Sequence, residues 1–93
     1  MKIGYLEIVL SASWVRSLKE KRMLVRSIVA KTRQKFNISV KEFATLDEHQ
    51  TITLGITCGS NSTSQIDAIL DQVVNFIESN YETEIIGIER EIL

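Results

Sequence analysis

The sequence predicts an α+β domain in two layers, with two helices covering one face of a four-stranded antiparallel sheet. Three observations predict it. Four runs suit strands by their alternation or composition, two others carry helical spacing, and both helical runs open on the same capping pattern, in the order β-α-β-β-α-β. Right-handed crossovers put both helices on the same side of the sheet and leave its other face open. A chain of 93 residues has the size of one domain, so 1–93 is read as a single unit.

Lys2 to Ser11 alternates, with Gly4, Leu6, Ile8 and Leu10 on one face and Ile3, Tyr5, Glu7 and Val9 on the other, which predicts the first strand. Ser17 and Glu20 stand in the capping-box relation, so a helix is expected from Leu18 to about Phe36. At 100° per residue, Leu18, Val25, Val29, Thr32 and Phe36 gather within about 60° and form its expected buried stripe. Asn37, which tolerates left-handed geometry, is the expected stop. Ile38 to Thr45 and Thr51 to Gly59 read as two strands joined in a hairpin by the polar segment Leu46 to Gln50. Ser62 and Gln65 repeat the cap ahead of Ile66, Ile69, Leu70, Val73 and Ile77, which predicts a second helix over Thr63 to Ser79. Glu84 to Ile92 closes the chain as a strand with Ile86, Ile88 and Ile92 on one side. The two similar halves make the split βαβ, or ferredoxin-like, plan.

With 44% apolar and 25% charged residues, the composition is that of an ordinary globular domain. Its longest apolar runs are too short to cross a bilayer, so no membrane association is expected. Cys58 is the only cysteine, which excludes an internal disulfide. With no secretory apolar segment, the expected setting is reducing and cytoplasmic.

The charges are sorted by position. Nine of the eleven Lys and Arg residues fall between Arg16 and Lys41, where Glu20 is the single acid, so that stretch carries about +8 and the rest of the −1 chain about −9. Around the first helix, Lys19, Arg22, Arg26 and Arg33 lie within about 60° of one another beside the buried stripe. By helix rise this row is about 21 Å long. Arg16 and Lys21 add cations where free helix amides favour an anion. The functional reading is a phosphate-contacting surface formed by Arg16, Lys19, Lys21, Arg22, Arg26 and Arg33. The structural reading is a solvated helix face whose charge answers the acidic remainder of the chain.

Domains of this topology that read RNA on the sheet stack bases on aromatic residues of the two central strands. Here the open face offers only Tyr5 on the first strand, and Thr53, Gly55 and Thr57 on the third cannot stack. Any nucleic-acid contact is therefore expected on the helix side. The apolar residues of that open face, Ile3, Tyr5, Val9 and Phe43, predict a homodimer that covers them. The competing reading is a monomer with scattered exposed apolar residues.

Other chemical candidates are weaker. His49 could bind a metal only with Asp47 and Glu48, which are too close in sequence to form a cage, so an exposed loop histidine is expected. Cys58 falls on a buried strand face and reads as packing. Asp67, Asp71 and Glu78 share one side of the second helix and read as a solvated edge. Trp14, beside Arg16, could stack on a base or support its loop from beneath; support is the preferred reading. No glycine-rich phosphate loop, carboxylate pair or triad can be assembled, so no enzyme, cofactor or metal site is expected. A catalytic reading would need a pocket shared by two subunits that joins Lys21, Arg90 and a carboxylate.

The run Trp14-Val15-Arg16-Ser17-Leu18-Lys19-Glu20-Lys21-Arg22, the segment Phe36-Asn37-Ile38-Ser39-Val40-Lys41-Glu42 and the ending Ile88-Glu89-Arg90-Glu91-Ile92-Leu93 resemble the bacterial YlxP-like family, a small domain of unknown function. The resemblance covers the whole chain and implies a ferredoxin-like fold. Members of that family are often encoded beside transcription-termination, translation-initiation and ribosome-assembly factors, which implies a ribosomal or RNA-linked role. The expected function is thus a non-catalytic protein docking on structured RNA or a ribosomal particle. Its alternative is a protein-interaction or regulatory module, a homodimer whose basic helix meets an acidic partner.

Overall fold

The computed structural model describes residues Met1–Leu93 and shows the expected element order: β1 (Lys2–Ser11), α1 (Leu18–Lys35), β2 (Ser39–Glu42), β3 (Thr51–Ser60), α2 (Thr63–Asn80) and β4 (Glu84–Ile92). The four strands form one antiparallel sheet in the order β2-β3-β1-β4. The two crossovers make β1 and β3 the central pair, and the helices cover one face. A core of seventeen apolar residues fills the space between the layers, including Leu6, Ile8, Leu10, Leu54, Ile56, Ile28, Leu70 and Val73. No helix is long and apolar enough to cross a membrane.

Both helices start as the caps require. Ser17 Oγ accepts from Glu20 N–H at 3.1 Å, and Ser62 Oγ accepts from Gln65 N–H at 3.3 Å. The Glu20 carboxylate reaches one residue beyond the expected cap and accepts from Arg16 N–H at 2.8 Å. At the far end, α1 stops with Phe36 extended rather than with a left-handed Asn37. Phe36 N–H still donates to Thr32 O, and its ring meets Phe76 edge-on at 5.8 Å between centroids. Aromatic packing between the helices thus sets this end.

Three expectations about packing are corrected. The buried side of α1 is centred on Lys21, Leu24, Val25, Ile28 and Thr32, while Leu18, Val29 and Phe36 are only partly buried. β2 is shorter than expected because Ala44 takes a left-handed conformation, with φ 66°, and turns the chain out of the sheet. In β4 a bulge lies opposite Val9 and Leu10: Val9 pairs with Gly87 and Leu10 with Ile85, so Ile86 is the extra residue. The bulge reverses parity, which turns Ile85 to the core in place of the expected Ile86.

The open sheet face carries the other half of each alternation. Across it, Lys41 pairs with Gly55, Gly55 with Glu7 and Glu7 with Glu89, forming one row over all four strands. Phe43 and Tyr5 close over the space left by Gly55, where an added Cβ would lie 3.3 Å from the Phe43 ring and 3.6 Å from the Tyr5 ring.

Candidate nucleic-acid interface

The side of α1 turned away from the sheet is built by the same periodicity that buries the other side. Positions 21, 24, 25, 28 and 32 face inward, so Lys19, Arg22, Arg26 and Arg33 are carried to the opposite, exposed side. Arg16 is exposed just before the helix. The ion pairs of the chain are Lys21–Glu42, Arg90–Asp67 and Arg90–Asp71. None involves Arg16, Lys19, Arg22, Arg26 or Arg33, so none of these five cations is paired with an acid of the chain.

Lys21 does not belong with them. Its side chain is 1% exposed, and its ammonium donates to Thr45 O and Glu48 O, each at 2.6 Å, while lying 2.8 Å from Glu42 Oε2. The ammonium thus has two carbonyls and a carboxylate around it inside the protein, not solvent. Lys21 is therefore withdrawn as a phosphate contact. It fastens the β2–β3 loop to the start of α1, and Gln50 completes the fastening by donating to Ser13 O at 3.1 Å and Val15 O at 3.0 Å. The spacing 21, 24, 25, 28, 32 carried the signal, because a lysine that keeps step with the buried positions must bring its charge to an internal acceptor.

Arg90 is the second ion-pairing residue that the sequence reading missed. It pairs across β4 with Leu6, so it projects to the helix face, and it donates to Asp67 at 3.2 Å and Asp71 at 2.8 Å. Burial opposes the charged guanidinium, but the hydrogen bonds it donates to Asp71 and Asp67 outweigh this and hold its pKa above the ordinary value. Asp67 and Asp71 are thus a clamp on the edge strand, not a merely solvated edge. Cys58 is buried as expected, and burial pushes its thiol pKa up.

Trp14 is 42% exposed, and its indole Nε1–H donates to Glu82 O at 2.6 Å, which ties the β1–α1 loop to the segment before β4. The supporting role is therefore present, but part of the residue stays exposed. On the sheet face, Ile3 is 48% exposed and Phe43 37%, while Tyr5 and Val9 are half-buried.

A family model described as "Protein of unknown function (DUF503)" matches residues 3–90. The uncharacterized protein YlxP of Bacillus subtilis (strain 168) is 38% identical over 68 residues, which cover 73% of this chain and 74% of that one. Among solved structures, the structural-genomics protein YJCS superposes with a TM-score of 0.63 at 10% identity, over 96% of each chain. A de novo designed protein with ferredoxin fold, LFR1 1, also gives 0.63, at 15% identity over 99% of this chain and 85% of that one. At such identities these structures speak for the fold alone. The family match along nearly the whole length, together with 38% identity to YlxP, bears out the YlxP-like resemblance and makes the chain a member of the DUF503 family of unknown function.

Proposed function

We propose that the protein is a non-catalytic binding module that docks on structured RNA, such as a ribosomal particle, through Arg16, Lys19, Arg22, Arg26 and Arg33. One observation carries this reading: four exposed cations stand along one side of α1, with Arg16 exposed just before it, and none is paired to an acid of the chain. A row of phosphates supplies the missing charge, and contacts of this kind position a protein without reading sequence. The Arg22→Glu/Arg26→Glu variant tests it, because both side chains face water and the fold should survive. Loss of RNA binding with an unchanged circular dichroism spectrum supports the reading; unchanged affinity refutes it. A partner that remains bound after nuclease treatment would favour an acidic protein as the ligand of this surface.

We further propose that two copies associate through their open sheet faces. The row Glu89–Glu7–Gly55–Lys41 runs from acidic to basic across each sheet, and neither Lys41 nor the two glutamates has an ion pair within the chain. A two-fold axis along the strands sets β2 of one copy over β4 of the other, so Lys41 meets Glu89 twice. The same contact covers Ile3, Tyr5, Val9 and Phe43.

A further inference from the structure

The basic side of α1 is not uniformly polar. Beside it lies a depression of about 520 Å³ lined by Trp14, Ser17, Lys19, Glu20, Met23 and Leu24. Leu24 is nearly buried, whereas Met23 is 62% exposed and Trp14 leaves part of its indole open. Lys19 and Met23 are four residues apart, so they are neighbours on the helix surface, and Lys19, Arg22 and Arg26 continue from them at spacings of three and four. The indole is held in place by Nε1–H donating to Glu82 O. The one acid of the depression, Glu20, is occupied by Arg16 N–H.

These features select an occupant with two properties. It must offer a flat apolar surface to a fixed indole and a polarisable thioether, and it must carry negative charge beside that surface for Lys19, Arg22 and Arg26. A nucleotide has both, with the base and its flanking phosphates separated by a sugar. We infer that the depression takes an unpaired nucleobase of the RNA, stacked on Trp14, while the adjoining cations hold the flanking phosphates. The inference rests on the proposed RNA-binding role and deepens it. Paired bases cannot enter, because their faces are covered in the helix. The surface then prefers an RNA that presents a bulged or looped-out base next to a duplex backbone.

Trp14 is the sole tryptophan, so its fluorescence reports on the depression directly. The probes are a hairpin RNA with one bulged adenosine and the same hairpin with an abasic residue at that position, both dye-labelled for anisotropy. The expected result is that both bind, that the adenosine hairpin binds about five- to a hundredfold tighter, and that it alone quenches Trp14. Trp14→Leu should erase the difference while keeping the abasic affinity, and Trp14→Phe, which retains a ring, should keep part of it. Equal affinity of the two hairpins without quenching overturns the stacked base and leaves the phosphate surface standing. Failure of both hairpins to bind overturns the RNA-binding role and this inference together. Quenching by a phenylalanine-containing acidic peptide, with none from the adenosine hairpin, assigns the depression to a protein and overturns the proposal.

Discussion

The Lys21 ammonium lies 2.8 Å from the Glu42 carboxylate, with the two side chains 1% and 14% exposed. A lysine in the middle of a run of binding-type cations thus serves the fold. Its charge is matched by Glu42 and its remaining donors by two carbonyls of the β2–β3 loop. Removing one member of such a pair leaves the other buried and uncompensated.

Lys21→Met should therefore cost about 3–5 kcal/mol in urea unfolding, because Glu42 and the Thr45 and Glu48 carbonyls all lose their partner. Adding Glu42→Leu should recover part of that loss. A cost below about 1 kcal/mol in the single variant would show that the pair does not fasten the loop.

RNA affinity should fall steeply with salt. Each neutralised phosphate contributes a log–log slope of about −0.7 to −0.9, so five cations set a limit near −4.5, and neutralising two of them in Arg22→Gln/Arg26→Gln should remove about 1.4–1.8 of it. Binding measured by anisotropy over a salt series gives both slopes. A slope near zero in the unmodified protein would mean that contacts other than phosphates dominate.

Self-association should respond to the charge row of the sheet. Lys41→Glu and Glu89→Lys each place like charges face to face and should weaken the homodimer. A mixture of the two variants restores both pairs in the heterodimer and should recover association. Sedimentation at high micromolar concentration distinguishes these outcomes. A monomer throughout, or a mixture no tighter than its components, would remove the proposed arrangement.

Gly4 sits on the helix face of β1, where an added Cβ would overlap Ile66 Cγ2 and lie 3.4 Å from Leu70 Cδ1. Gly4→Ala should therefore destabilise by about 1–3 kcal/mol through overpacking. Thermal unfolding checks the sign. A stabilised variant would mean that α2 shifts away from the sheet at little cost.

The Cys58 thiol should be slow to react and should titrate high. Burial is the largest influence on it and raises its pKa above the ordinary thiol value, and the lowering effects of the Gly4 backbone and Arg90 do not offset this. The folded chain thus favours the protonated thiol. That contribution is complete below the ordinary value and is lost as pH rises through the folded one. Iodoacetamide should modify the native protein more slowly than the urea-unfolded chain, with its half-maximal rate at a higher pH. Equal rates would show that Cys58 is open to solvent.

Local signals were enough for most of the fold. Period-two alternation set β1 and β3, and the Ser17 and Ser62 caps set both helix starts, because a cap and an alternating face depend on residues only a few positions apart. The exposed row Lys19, Arg22, Arg26 and Arg33 was legible for the same reason: four residues of one helix share a side by geometry alone. The burial of Lys21 could be read from its step with positions 24, 25, 28 and 32, but its partners could not, since Glu42, Thr45 and Glu48 lie more than twenty residues away and meet it only when the hairpin folds over the start of α1. The clamp of Arg90 on Asp67 and Asp71 and the bulge that turns Ile85 inward share this origin. Sequence by itself determined which elements form and which cations one helix carries outward. Only the tertiary structure decided which of those cations remain free, because a charge is neutralised by whatever the fold brings beside it, and that neighbour comes from elsewhere in the chain.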